Sequence, residues 1–142
     1  MGILSILQKL KQSGEQFKIV ILGLENSGKT TLLKHLGEDC VSHAKVTPTQ
    51  GFNTKSIQRG HSTLNMWDIG GQRTIRLYWR NYLGCTNAII FVIDCSDKTR
   101  LFEANSELQH LLDEDKLEGE KDVELLARYQ HVYSAPTSFA PC

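Results

Sequence analysis

Three observations predict an α/β fold for this 142-residue chain, a doubly wound and mostly parallel sheet with helices on both faces. A short apolar run, Phe17 to Leu22, leads into Gly23-Leu24-Glu25-Asn26-Ser27-Gly28-Lys29-Thr30, and Lys29 to Leu36 then follows a helical pattern. A wholly apolar run, Ala88 to Ile93 (AIIFVI), has the composition of a strand covered on both faces of a parallel sheet. Strand-like and helix-like stretches alternate between these landmarks, as expected of a three-layer domain.

The first junction carries the chemistry. G-x-x-x-x-G-K-T between a strand and a helix is a phosphate cradle, in which glycines let successive backbone N-H groups turn toward phosphate oxygens. Lys29 adds a positive charge there, and the Thr30 hydroxyl is suited to Mg²⁺. The bland alternative is a glycine-rich turn with no ligand. The strand before and the helix after favour the cradle, and with it a P-loop NTPase-type sheet.

The length allows one domain with a sizeable core. Sixteen basic residues balance sixteen acidic ones, so overall charge gives no argument for nucleic acid. Cys40, Cys85, Cys95 and Cys142 lack C-x-x-C spacing, which favours reduced thiols over a disulfide framework. No apolar run approaches the length of a membrane span, so a cytoplasmic protein, soluble or peripherally attached, is expected.

Residues 1–14 form a separate segment. Ile3, Leu4, Ile6, Leu7 and Leu10 recur at helical spacing, predicting a short amphipathic helix that lies either in a membrane surface or in a groove of its own domain. Gly2 suggests N-myristoylation, but Ile6 stands where that motif has Ser or Thr. Residues 15–119 form the partial nucleotide-binding domain.

After the first helix, Gly37 to Thr47 is polar and aperiodic, and Thr47-Pro48-Thr49-Gln50-Gly51 forms a loop that can be ordered or released. Phe52 to Arg59 and Thr63 to Trp67, separated by Gly60-His61, predict a β-hairpin. Trp67-Asp68-Ile69-Gly70-Gly71-Gln72 follows, with Asp68 at the end of a strand that would lie beside the one ending at Gly23. A carboxylate there can reach a metal held by Thr30. Gln72 can hold a water through one donor and one acceptor.

GLENSGKTT, TPTQGFN, WDIGGQR and YWRNY, in that order, resemble the small GTPases of the ADP-ribosylation factor family over residues 1–119. The resemblance implies GTP or GDP with Mg²⁺ as the ligand. It places Gly23, Asn26, Ser27, Gly28, Lys29, Thr30, Thr31, Thr49 and Gly71 on the nucleotide, and Thr30, Thr49 and Asp68 at the metal. By the same resemblance the Gly71 N-H senses the γ-phosphate and Gln72 orients the attacking water. It also implies an exchange factor, a GTPase-activating protein and effectors that read Phe52, Trp67 and Tyr82. Peripheral membrane contact through the N-terminal helix, and transport at Golgi or cilium, complete what it implies. Arg73, Arg76 and Arg80, at helical spacing, are expected on a solvated or partner-binding face.

The C-terminal part departs from that pattern. Leu101, Ala104, Leu108, Leu111 and Leu112 mark an amphipathic helix, after which seven acids and two lysines fall between Asp113 and Glu124. An apolar strand followed by Asn-Lys-x-Asp, the guanine-reading motif of the family, is not apparent. Val123 to Tyr133 has helical spacing of Leu126, Tyr129 and Tyr133, and residues 120–142 are expected to form a divergent, partly disordered tail. The sheet would then be incomplete at its C-terminal edge, with AIIFVI exposed as the edge strand. Three functions compete: a guanine-nucleotide switch, a non-catalytic interaction protein that holds no nucleotide, and an ATP-using enzyme, the last disfavoured by D-x-G-G-Q.

Overall fold

The computed structural model describes residues 16–36, 51–59, 61–113 and 122–128. The N-terminal segment, Thr49 and the tail beyond Arg128 lie outside the described residues. Five strands form one sheet: β1 (Gln16–Leu22), β2 (Phe52–Arg59), β3 (Ser62–Ile69), β4 (Ala88–Asp94) and β5 (Asp122–Arg128). Their order is β2-β3-β1-β4-β5. β1 is parallel to β3 and β4, β4 is parallel to β5, and the outer β2 is antiparallel to β3. The predicted hairpin is β2 and β3, paired from Phe52 opposite Ile69 to Arg59 opposite Ser62.

The two-residue period of the strands divides the interior into two cores. On one face Ile19, Ile21, Leu64, Met66, Ile90 and Val92 meet Leu32 and Leu33 of helix α1 (Lys29–His35). On the other, Val20, Leu22, Ile69, Ile89 and Phe91 meet Trp79, Leu83 and Leu111. These come from α3 (Trp79–Tyr82), the turn after it and α4 (Leu101–Leu112), while α2 (Arg73–Arg76) adds the partly buried Ile75. The three-layer expectation holds because β1 and β4 are apolar at every position that must face a helix. Residues Ala88 to Val92 are each at most 3 % exposed.

The structure corrects the C-terminal reading. Asp122–Arg128 is a strand and not the start of a helix, paired in parallel with all of β4 from Ala88 opposite Asp122 to Asp94 opposite Arg128. β4 is therefore interior, and the sheet continues beyond residue 119. The cause is tertiary. The open edge of β4 presents unpaired N-H and C=O groups, and pairing them outweighs the weak local helical preference of a short segment. A second correction concerns α4. Ala104 and Leu111 are buried, but Leu101 and Leu112 remain exposed, so its apolar stripe is narrower than its sequence suggests.

Candidate functional site

The β1–α1 loop folds as a phosphate cradle requires. Gly23, Asn26 and Gly28 take positive φ values of 146°, 60° and 99°. At Gly23 space also forbids a side chain, since a Cβ would stand 2.3 Å from the Val92 carbonyl oxygen. Asn26 is exposed and Thr31 half-buried in the first turn of α1. Ser27 is buried, and its Oγ has no hydrogen-bond partner among the described residues. Gly28 precedes α1 with no side-chain cap.

Lys29 is 5 % exposed, and its Nζ donates to the carbonyls of Gly23 and Leu24 at 2.9 and 2.7 Å. Burial holds its pKa down to about 8, opposed by the pull of the Asp68 carboxylate. A lysine so placed gains from any anion that enters the loop.

The strand ends bring the metal candidates together. Parallel pairing sets Asp68 beside Ile21, and the Thr30 hydroxyl donates to Asp68 Oδ2 at 2.5 Å. Asn53 Nδ2, on β2, donates to the same oxygen at 3.4 Å. A hydroxyl and a carboxylate converging on one point form the hard-oxygen donor set that suits Mg²⁺. The two ligands expected from the described residues are thus adjacent.

Gly71 lies directly on the cradle. A Cβ there would come within 2.3 Å of Gly23 O, 2.3 Å of Leu24 C and 2.4 Å of Glu25 N, all backbone atoms. Gly70 N-H donates to Gly51 O at 2.8 Å, so the residue before β2 is tied to the loop after β3. Gln72 caps α2 through its backbone carbonyl, which accepts from Ile75 and Arg76 N-H, while its half-buried side chain makes no cap bond.

Sequence reasoning missed Asn53, Arg76 and Trp79. Trp79 Nε1 donates to Gly70 O at 3.0 Å. Arg76 is not on a solvated face. Its side chain is 6 % exposed, with Nε on Gly71 O at 2.7 Å and Nη1 on Glu103 and Glu107 at 2.8 and 3.1 Å. Those partners lie 27 and 31 residues away, so no local pattern could announce them. Arg73 does follow the expectation, being 83 % exposed.

The aromatic trio also assembles. Phe52 stacks on Trp67 with ring centroids 5.3 Å apart, and Tyr82 lies 5.9 Å from Phe52 and 6.3 Å from Trp67. Phe52 is 51 % exposed, and Lys18 Nζ sits 5.0 Å over the Trp67 ring while donating to Tyr82 O. Phe52 is the exposed member, while Trp67 and Tyr82 are half-buried and pack against the second core.

At the same edge of the sheet as the cradle, β4 and β5 end together at Asp94 and Arg128. The residues that follow β5 are Tyr129-Gln130-His131. They contain no carboxylate.

The profile of the ADP-ribosylation factor family matches residues 3–134. ADP-ribosylation factor-like protein 3 of Caenorhabditis elegans is 48 % identical over 140 residues, covering 97 % of this chain and 74 % of the relative. The protein of that name in Chlamydomonas reinhardtii is 50 % identical over 119 residues, covering 84 % of this chain and 66 % of the relative. ADP-ribosylation factor-like protein 2 of Drosophila melanogaster is 44 % identical over 119 residues, covering 84 % and 64 %. Among solved structures, the Arl6 (BBS3) small GTPase of Trypanosoma brucei, with the nucleotide analogue GppNp bound, superposes with a TM-score of 0.66. It is 32 % identical, and the match covers 79 % of this chain and 65 % of that one. The chain thus spans about two thirds to three quarters of the length of these relatives. A matching profile over most of the sequence, near-half identity to curated relatives and a fold that superposes on a small GTPase place this chain in the ADP-ribosylation factor family.

Proposed function

We propose that the chain is a guanine-nucleotide switch whose state is read by effector proteins. The observation that carries this reading is the convergence of Lys29 and Thr30, at the junction of β1 and α1, with Asp68 and Gly71, at the end of β3 and in the loop after it. Lys29 supplies positive charge to the β- and γ-phosphates, and the cradle N-H groups supply directed donors. Thr30 and Asp68, with Thr49, hold Mg²⁺, which spreads the negative charge of the phosphates when bound. The Gly71 N-H meets the γ-phosphate, and Gln72 orients water. Catalysis by such a set is positioning and electrostatics, slow until a partner completes it.

Phe52, Trp67 and Tyr82 form the surface that effectors read, and β2–β3 connects that surface to the phosphate site. In keeping with the family, the output is recruitment of partners in membrane or ciliary traffic of lipidated cargo, with an exchange factor and a GTPase-activating protein setting the state. The N-terminal segment carrying Ile3, Leu4, Ile6, Leu7 and Leu10 serves as the membrane contact.

One observation favours a second reading. With Tyr129-Gln130-His131 after β5, the carboxylate that takes two hydrogen bonds from the guanine edge is missing. Sites that discriminate through buried hydrogen bonds reach about 10⁴-fold or more, so this chain would lose most of its base preference or hold no nucleotide at all. It would then act as an interaction protein. Titration of the purified chain with fluorescent GDP and ADP in Mg²⁺ separates these outcomes. Tighter GDP binding supports the guanine switch, and binding of neither nucleotide sinks it. Partner binding indifferent to GTP and to Thr30→Asn supports the interaction protein.

A further inference from the structure

The peptide groups of Gly70 and Gly71 are held from three sides. Gly70 N-H donates to Gly51 O, Gly70 O accepts from Trp79 Nε1, and Gly71 O accepts from Arg76 Nε. Among the described residues the remaining group, the Gly71 N-H, donates no hydrogen bond. Clamping three of four groups in a row fixes the direction of the fourth, because the peptide plane is rigid and each φ, ψ pair is bounded by its neighbours.

The clamp has unequal anchors. Trp79 is held by packing against Phe91, with ring centroids 6.1 Å apart. Arg76 is held by charge. Its guanidinium reaches both Glu103 and Glu107 on α4, and the bond from Arg76 holds the Glu103 carboxyl below its ordinary pKa. At 6 % exposure, a guanidinium bound to two carboxylates and one carbonyl is locked in orientation. Arg76 also lines a cleft of about 930 Å³ between α2–α3 and α4, beside Glu103 and Glu107.

We infer that Arg76 is a positioning residue for recognition of the terminal phosphate: anchored by Glu103 and Glu107 of α4, it holds the Gly71 carbonyl so that the Gly71 N-H stays aimed at the nucleotide. This deepens the switch reading above and rests on it. Arg76 touches no phosphate itself. Its contribution is specific to a nucleotide with a γ-phosphate, because a diphosphate leaves the Gly71 amide unused.

The test is a comparison of affinities for GppNp and for GDP, each with Mg²⁺, by isothermal titration of the purified chain. Arg76→Met should weaken GppNp by about tenfold or more while leaving GDP unchanged, the scale of a hydrogen bond to a charged group. Glu103→Gln with Glu107→Gln keeps the guanidinium and the packing but loosens its anchor, and should shift the same ratio in the same direction by less. Arg76→Lys keeps the charge without the planar fork and should fall between wild type and Arg76→Met. Should Arg76→Met fail to fold by circular dichroism, the double glutamine variant decides alone. Equal losses for both nucleotides, or an unchanged ratio, overturn the assignment of Arg76 and leave the switch reading intact. A wild-type chain that binds neither nucleotide takes both down.

Discussion

Replacing Gly71 by alanine tests whether the cradle and the loop after β3 are one packed unit. Gly71 lies so close to the backbone of Gly23, Leu24 and Glu25 that an added Cβ would stand 2.3–2.4 Å from three of their atoms. Ordinary van der Waals contact begins near 3.4 Å, so the two segments must part by about 1 Å. No side chain can turn away to relieve this, since every clashing atom is backbone. Lys29 resists the movement from the other side, because its Nζ grips the carbonyls of Gly23 and Leu24. Overpacking against a fixed wall costs about 1–3 kcal/mol. For a chain of this length that is a fall in Tm of about 3–10 °C. Thermal melts of the nucleotide-free protein by circular dichroism read the first effect, and the ratio of GppNp to GDP affinity reads the second, which should fall. If Gly71→Ala melts with wild type and keeps the wild-type ratio, the contact between Gly71 and the cradle is not what joins them, and the reasoning fails.

Three further outcomes are expected. Nucleotide affinity should be flat from pH 6.5 to 7.5 and weaken toward about tenfold per pH unit above pH 8 as Lys29 loses its proton, measured by titration at constant ionic strength; affinity that is level to pH 9.5 would rule out Lys29 as the phosphate cation. In the absence of ligand the sign reverses: the pKa of Lys29 is lower folded than unfolded, so its burial penalty shrinks as pH rises from about 8 toward 10.5. Glu103 behaves as a carboxyl held low by Arg76, stabilising the fold above its ordinary value of 4.5 and releasing that stability as pH falls through the lowered pKa, so Glu103→Gln should flatten the acid limb of a Tm–pH curve. Phe91→Ala should cost about 3–5 kcal/mol in urea unfolding, because Phe91 is fully buried and edge-on to Trp79 at the centre of one core.

The phosphate cradle was legible because its chemistry is local. Strand, glycine-rich turn, lysine and helix follow within twenty residues, and backbone conformation alone decides what such a loop can hold. The hairpin of β2 and β3 was legible for the same reason, as was β4, whose five consecutive buried residues leave no polar face to misread. Asp68 could be placed beside Thr30 once a parallel pairing of β1 and β3 was assumed, and the register of Ile21 opposite Asp68 is that pairing.

β5 was not legible. Its sequence, DVELLAR, carries two acids and spacing compatible with a helix, and only the open edge of β4 converts it to a strand. Arg76 failed in the same way. Spacing with Arg73 and Arg80 suggested a common exposed face, whereas contact with Glu103 and Glu107 across the fold buries it.

The sequence by itself determined the family, the glycine-rich turn between β1 and α1 and the adjacency of Thr30 and Asp68, since each depends on short-range backbone geometry and on side-chain chemistry at fixed spacing. Tertiary structure alone decided which edge β4 shares, which arginine is buried and what holds the Gly71 peptide in place. The first two are contacts between segments about 30 residues apart, and the third joins Gly70 and Gly71 to Gly51, Arg76 and Trp79. Their energy is that of polar groups that must find partners once water is excluded, and the chain meets that condition only after the sheet has formed.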